Sequence, residues 1–379
     1  LVSDRAHRLR RRNIQHEQPY VTSCTAADRA SRLMNRKDAG EDWRSVSTRA
    51  PDETTIKLAH ARANEPGRGR TAARPEQIPA PGWRDILWRV VLSLPEDRVL
   101  ATAGGVAFFA LLATFPGLAT IVSLYALVSD PNAIGQHLSL LAGVLPNGVL
   151  ALLDDQLVRI TRQSSGTLST ASLLSLLIAF WSANSGVSAL FDALNVIYKE
   201  REKRSLVRFY ATTFLFTLGG VLFALAATAM VVVLPVVLDR LGFGSATDAL
   251  LRIARWPALL VLVSLGLSLI YRYGPSRREA KWRWVSWGSA AAALCWVCAS
   301  ALFSWYVASF DSYNRVYGSL GAGVGFMTWI WLSVVIVLVG AELNAEMERQ
   351  TARDSTTGRP KPLGSRQAYA ADTIGPAQS

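Results

Sequence analysis

Charged residues are missing from this chain in long blocks. Six segments contain none: Val99–Ser129, Gln163–Phe191, Phe209–Leu238, Trp256–Tyr271, Trp284–Phe310 and Val316–Ala341. Five of them hold 26 or more residues, and the fourth holds 16. A bilayer core about 30 Å thick takes roughly 20 apolar helical residues to cross. A charge at the centre of such a helix costs about 2.5–3.5 kcal/mol even on the mildest scale. The pattern predicts an all-α fold, a polytopic membrane bundle of six transmembrane helices. The spans are expected near 101–129, 167–191, 209–238, 253–271, 285–310 and 317–341.

Between the spans the apolar spacing predicts amphipathic surface helices. One covers Asp85–Leu94, with Trp83 and Trp88 suited to an interfacial position. Two more follow the first span. Ile134, Leu138, Leu141 and Leu145 recur at helical spacing, as do Val149, Leu153, Leu157 and Ile160, with Pro146-Asn147-Gly148 between them. They lie on the outer surface or cap the outer mouth of the bundle. Pro116 interrupts the first span and predicts a kink near Ala113–Phe115. The fourth span is short, but Ile253 and Ala254 extend it if Arg252 and Arg255 snorkel.

The flanks have a different composition. Residues 1–82 are rich in Arg, Pro, Gly, Ser and Thr, lack any sustained apolar period, and are expected to be a disordered basic tail. Residues 348–379 are expected to be a second disordered tail, leaving 83–347 as the membrane domain. These flanks dilute the mean hydropathy to +0.22. The first 80 residues hold no apolar h-region, so no cleaved signal peptide is expected in them. The first residue is Leu1 and the first methionine is Met34. An alternative start codon and a start set too far upstream both account for that.

Charge then sets orientation. Of 40 Lys and Arg residues, 34 fall on the two flanks and the segments 192–208 and 272–283; six fall on the alternate segments. The positive-inside rule places both termini in the cytoplasm of a plasma-membrane protein, and an even number of spans agrees. The net charge of +12 is read as basic cytoplasmic loops against anionic lipid headgroups. Nucleic acid is not the expected partner. The run Arg8-Leu9-Arg10-Arg11-Arg12 has no aromatic residue in or beside it on which a base could stack.

Chemistry-bearing residues are few. Trp181, Asn184, Ser185, Ser188, Asp192 and Asn195 fall within a stripe roughly 100° wide on the second span. Asn184, Ser185, Ser188, Asp192 and Asn195 are candidates to line a polar cavity; the structural alternative is interhelical hydrogen bonding. Gly321 and Gly325 form a small-xxx-small pair that permits close helix approach, within the monomer or in a homo-oligomer. Glu342 and Asn344 mark the cytoplasmic rim of the sixth span, as a cation or substrate site or as helix-end hydrogen bonds. Cys295 and Cys298 match CxxC only by letter, inside an uncharged run without a βαβ context. The four histidines show no metal-ligand spacing, and no Walker, GxSxG or HExxH pattern occurs. No enzyme activity, cofactor or metal is expected.

Several of these residues form an ordered series. Ala107-Phe108-Phe109-Ala110-Leu111 leads to Phe115-Pro116; Trp181-Ser182-Ala183-Asn184 leads to Ala193-Leu194-Asn195 and Tyr198. Tyr271-Arg272-Tyr273 precedes Pro275, Tyr317-Gly318-Ser319-Leu320-Gly321 follows, and Trp331 precedes Gly340-Ala341-Glu342-Leu343-Asn344. In this order and spacing, residues 83–347, about 70% of the chain, resemble the YihY/BrkB family of bacterial inner-membrane proteins. The resemblance implies an envelope-associated protein, with transport of a lipid or small molecule suggested and no established reaction. A structural scaffold for envelope partners is the second expectation. Some relatives carry the name ribonuclease BN, yet no general acid/base set or metal-activated water is recognisable here. The chain departs from the family at Ala113, where a serine is usual, and at Trp287-Gly288-Ser289, where Pro-Gly-Ala is usual.

Overall fold

A computed structural model of the chain describes residues 51–128, 170–228, 245–309 and 319–378. The chain forms α1 (Glu53–Arg62), α2 (Ala80–Glu96), α3 (Val99–Val128), α4 (Thr170–Ile197), α5 (Leu206–Thr228), α6 (Ser245–Tyr273), α7 (Trp282–Ser309), α8 (Ser319–Glu348) and the single turn α9 (Tyr369–Asp372). Among the described residues there is no β-strand, and a lone antiparallel bridge joins Ala280 to Thr356. The fold is all-helical. Among the described residues, four helices are long and apolar enough to cross a membrane, or five if the bent pair α2–α3 forms one span. The outer amphipathic helices expected after the first span, and residues 1–50, lie outside the described residues.

Helix α2 starts where Pro81 sits in its first turn, a position that has no intrahelical N–H to lose. It is two-faced. Asp85, Ile86, Arg89, Val90 and Ser93 are buried, while Leu87, Trp88, Val91 and Leu92 are exposed. The chain then bends by 65° into α3. Arg98 occupies the left-handed region there, at φ +49°. Helix α3 continues on both sides of Pro116. Helix α6 starts at Ser245, eleven residues ahead of the uncharged run at Trp256, and takes in Arg252, Arg255 and Pro257.

Helix α3 packs on α4 and α8, α7 packs on both α6 and α8, and α2 lies on α8. Lipid tails are as apolar as leucine, so apolar burial alone gives little drive to such contacts. Close packing and interhelical hydrogen bonds carry them. The tightest crossing is between α7 and α8. A Cβ on Gly288 would lie 2.6 Å from the Gly340 carbonyl oxygen, and one on Gly340 would lie 2.5 Å from the Tyr271 hydroxyl. Around it, Phe191, Leu194, Tyr271, Val285, Ala292, Leu338 and Ala341 form the core. The outer surface is apolar, with Val261, Leu302 and Trp305 each exposed by about two thirds. That is the surface of a membrane protein.

Residues 51–82 and 349–378, where disorder is the sequence expectation, have described structure at one end of the bundle. Residues 51–82 hold α1 and a 3₁₀ turn at Pro75–Gln77, and their buried Arg70 donates to the carbonyls of Gln350 (3.3 Å) and Gly375 (2.9 Å). Residues 349–378 lie along the same end. Arg366 donates to the Ala352, Lys361 and Ala371 carbonyls, and the Gly375 amide donates to the Arg349 carbonyl. Neither flank has an apolar period. Arginine side chains satisfy backbone carbonyls in both flanks, each a charge-assisted hydrogen bond. Asp354 and Asp372 accept backbone amides, and Ala72 and Ile78 join a small apolar cluster with Ile86, Trp284 and Met347.

Candidate functional site

The polar chemistry of the bundle gathers at the end where the two flanks meet. Asn195, in the last turn of α4, ties two loops together. Its Oδ1 accepts from the Ser276 amide at 2.7 Å, and its Nδ2 donates to Glu202 Oε2 at 3.1 Å. Arg204 pairs with Glu202 at 2.7 Å, donates to the Gly274 carbonyl at 2.8 Å, and lies 5.5 Å from the ring centroids of Phe191 and Phe209. Burial raises the Glu202 carboxyl, but hydrogen bonds from Arg204 and Asn195 outweigh it and bring it down to about 2. Arg277 donates to both carboxylate oxygens of Glu348, at 2.6 and 3.1 Å, and sits 4.2 Å from the centroid of Tyr198.

These loops and the C-terminal segment surround a cavity of about 1180 Å³. Eight Lys and Arg residues line it, against four acidic ones. Lys203 pairs with Glu200, and Arg272 with Glu279. Arg208 stands on the first turn of α5, beside the strongly exposed Leu206 and Val207. Arg272 rests against the ring of Trp282 at 4.6 Å. The cavity thus presents surplus positive charge next to apolar, aromatic surface. It can hold an anionic group whose remainder is apolar.

The expected stripe on α4 divides. Asn184 is buried, with its Oδ1 3.5 Å from Thr217 Oγ1 of α5, whose hydroxyl donates to the Thr213 carbonyl at 2.8 Å. Ser185 donates to the Trp181 carbonyl of its own helix at 3.0 Å. Ser188 Oγ is buried without a hydrogen-bond partner. Asp192 is exposed, in the field of Glu202 and Arg204, and Trp181 is exposed too. Asn184 and Asn195 therefore serve contacts between elements, and Ser188 and Asp192 retain unused polar capacity. Pro116 lies within α3 and Gly321 in the first turn of α8. A Cβ on Gly325 would meet nothing within 4 Å, and among the described residues the close helix approach is at Gly288 and Gly340.

The rim residues of α8 are more deeply placed than their helix-end position suggests. Glu342, Asn344, Glu346 and Glu348 are all buried. Asn344 Oδ1 accepts the Gly288 amide at 3.0 Å. Glu346 is held by Arg89 from α2 and by Arg349. Arg89 also reaches Gln350 Oε1 at 2.8 Å and the Pro376 carbonyl at 3.0 Å. Sequence reasoning missed Arg89, Arg204, Arg277, Glu346 and Glu348, because it read basic loops as free surface charge. The signal that was present is the acidic run Glu342, Glu346 and Glu348 at the end of an apolar helix, which demands cations.

The family described as virulence factor BrkB matches residues 90–363. The ribonuclease-like protein YfkH of Bacillus subtilis is 28% identical over 64% of this chain and 88% of its own length. A UPF0761 membrane protein of Idiomarina loihiensis is 34% identical over 43% of this chain, which spans about half (56%) of that relative. Another, from Alkalilimnicola ehrlichii, is 29% identical over 77% of this chain and 66% of its own length. No solved structure matches.

Proposed function

The chain belongs to the virulence factor BrkB family, and on that premise we propose a six-span, transporter-like protein of the bacterial plasma membrane that receives the anionic headgroup of a lipid or small amphiphile. The basic cavity carries this reading. Near a membrane surface each Lys or Arg attracts anionic headgroups by about 1 kcal/mol. The exposed Leu206 and Val207 beside Arg208 offer acyl chains a place at the cavity mouth. Ser188 and the outward Asp192 continue a polar path along α4.

Six helices of 23 to 30 residues support six crossings, α3 to α8. The meeting of both flanks at one end supports an even number, and the basic loops on that end support a cytoplasmic location. The exposed face of α2, with Trp88, suits a helix lying in the interface. A loss of envelope integrity on deletion follows from this role. The reading is non-enzymatic. The ribonuclease-like name of the Bacillus subtilis relative is its own, and purified protein free of soluble nucleases is expected not to cleave RNA. A scaffold acting through its N-terminal tail fails when residues 1–50 are deleted; a transporter survives.

The test is a titration of the purified full chain with short-chain phosphatidylglycerol and with short-chain phosphatidylcholine, read by tryptophan fluorescence. The anionic lipid is expected to bind at least about 5-fold more tightly, the equivalent of one basic contact. Lys203→Glu with Arg208→Glu is expected to abolish the preference. Equal binding of both lipids, or an unchanged preference in the double variant, overturns the reading. Ser188→Leu in a vesicle assay of lipid movement tests the path along α4.

A further inference from the structure

We propose that a second cavity, between the start of α7 and the C-terminal segment, binds a phosphate dianion, carried as a phosphomonoester on a small molecule or on a lipid. This goes beyond headgroup reception at the larger cavity and does not depend on it. The second cavity measures about 370 Å³, within the range of small-molecule pockets. Lys281 and Arg283 line it from the start of α7, and Arg353, Lys361 and Arg366 from the C-terminal segment. Asp354 is the one acidic residue of its lining.

That carboxylate is already spent. Its Oδ1 accepts from the Thr356 amide at 2.9 Å and hydroxyl at 2.7 Å, and its Oδ2 accepts from the Lys361 amide at 2.8 Å. Lys281 Nζ donates to the Asp354 backbone carbonyl at 2.7 Å. Arg366 is taken up by three carbonyls, which use its donors and leave its charge uncompensated. Arg283, Arg353 and Lys361 enter no ion pair or side-chain hydrogen bond among the described residues. Two further carboxylates lie nearby. Glu76 is in the field of Arg283, and Asp372 accepts from the Arg366 amide at 3.0 Å. With both counted, five positive charges face three negative ones, and two are left over.

The backbone adds to the surplus. Helix α7 has 28 residues and no acidic residue in its first turn. A helix N-terminus carries about half a positive charge and favours anionic neighbours, yet Lys281 and Arg283 stand beside this one. Burial lowers the pKa of the Lys281 ammonium, Asp354 opposes that, and Arg283 and Arg366 lower it further. An anion among these groups removes a repulsion that Asp354 leaves standing. The chemistry selects phosphate. Arg283 and Arg353 each present a planar fork suited to two phosphate oxygens, and Lys361 a point charge. Both arginines are exposed and Lys361 is half-buried, so a ligand reaches them from water. A phosphomonoester carries about two negative charges near neutral pH, which matches the surplus; a single carboxylate leaves one positive charge over. A nucleic-acid strand is a poorer fit, since Trp284, the aromatic residue of the lining, is 1% exposed and offers no face for a base.

The experiment is calorimetric titration of the full chain in phosphatidylcholine nanodiscs at about pH 8, where a phosphomonoester is dianionic. The probes are inorganic phosphate, glycerol 3-phosphate and short-chain phosphatidic acid, with chloride at equal ionic strength as the control. The two soluble phosphates are expected to bind and chloride is not. Arg283→Gln with Lys361→Gln is expected to weaken phosphate binding at least about 10-fold, the loss of one or two charge-assisted contacts. Arg353→Gln alone supplies the same test if that pair does not fold. Lys203→Glu with Arg208→Glu, which alters the larger cavity, should leave phosphate binding unchanged. Phosphatidic acid bound more tightly than glycerol 3-phosphate, with the difference lost in the Gln pair, assigns the site to a lipid; equal or weaker binding assigns it to a soluble ester, and either supports the site. Thermal unfolding gives an independent reading. A ligand of the folded chain stabilises it by mass action, so the wild-type midpoint should rise with phosphate and the Gln-pair midpoint should not. No binding in the wild type, binding undiminished in the Gln variants, or binding lost at Lys203 and Arg208 instead overturns the proposal. A missing lipid preference at the larger cavity leaves these readouts intact, so the two failures are distinguishable.

Discussion

Replacing Arg277 by methionine tests whether buried ion pairs hold the polar end of the bundle together. The side chains of Arg277 and Glu348 are both 0% exposed, and two hydrogen bonds join them. Desolvation lowers the Arg277 pKa, but Glu348 outweighs it and leaves the group above its ordinary value, so it stays charged. In Arg277→Met the carboxylate of Glu348 keeps only the Ser355 hydroxyl at 2.7 Å. Removing one partner of a buried pair costs about 3–5 kcal/mol, because the other charge is stranded. At about 2–4 °C per kcal/mol for a domain of this order of size, the midpoint should drop by roughly 6–20 °C. The assay is thermal unfolding of the full chain in nanodiscs. The double variant Arg277→Met/Glu348→Leu removes both charges and should recover most of the loss, since an apolar pair of similar volume is often as stable as a buried ion pair. A single variant within about 2 °C of wild type, or a double variant no better than the single, refutes the reasoning.

Three further outcomes are expected. Gly340→Ala should destabilise by about 1–3 kcal/mol through overpacking against Tyr271 and Ala292, whereas Gly325→Ala, which meets open space, should be neutral; equal effects on the unfolding midpoint contradict the assignment of the tight crossing. Glu202, brought from about 4.5 to about 2, stabilises the fold above about pH 4.5 and loses that effect as pH falls toward about 2; Glu202→Gln should show less acid sensitivity in that window, and unaltered sensitivity counts against the loop clamp. Truncation after Glu348 removes the carbonyls that Arg70 and Arg89 bind, and should raise proteolysis of residues 51–82; an unchanged cleavage pattern would show that the flanks do not support one another.

The long apolar helices were legible because lipid forbids stray charge, and a charge-free run is visible one residue at a time; four of them, or five with the bent pair α2–α3, are long and apolar enough to cross a membrane. The full extent of α6 was not legible, because Arg252 and Arg255 sit inside the helix and end the uncharged run early. Candidate polar residues were legible in part. Asn195 and Asn344 stand out within apolar surroundings, but their partners Ser276 and Gly288 lie 81 and 56 positions away. The same limit hid the tight helix crossing. A small-xxx-small pair is a pattern within one helix, and it drew attention to Gly321 and Gly325. Gly288 and Gly340 belong to different helices and share no spacing. The flanks were misread for another reason. Composition reports apolar burial, whereas residues 51–82 and 349–378 are held largely by polar contacts, arginines on carbonyl oxygens and carboxylates on backbone amides, that no apolar period announces.

Those arginines bear on how orientation is set. The segments 192–208 and 272–283 carry ten basic residues against six in the alternate short segments. In the folded protein Arg204, Arg272 and Arg277 are taken up by Glu202, Glu279 and Glu348. Insertion acts on a chain that has not yet made these pairs, and acidic residues contribute little to it. In the proposed orientation all ten charges act during insertion, although fewer remain to face headgroups afterwards. Orientation and folding should then separate in one variant. In Arg277→Met nine basic residues still exceed six, while a buried carboxylate is stranded. A reporter fused after Ser379 should remain cytoplasmic in that variant while its unfolding midpoint falls. A periplasmic reporter in the variant would mean that the Arg277–Glu348 pair forms early enough to direct insertion, and the separation of the two steps would be wrong.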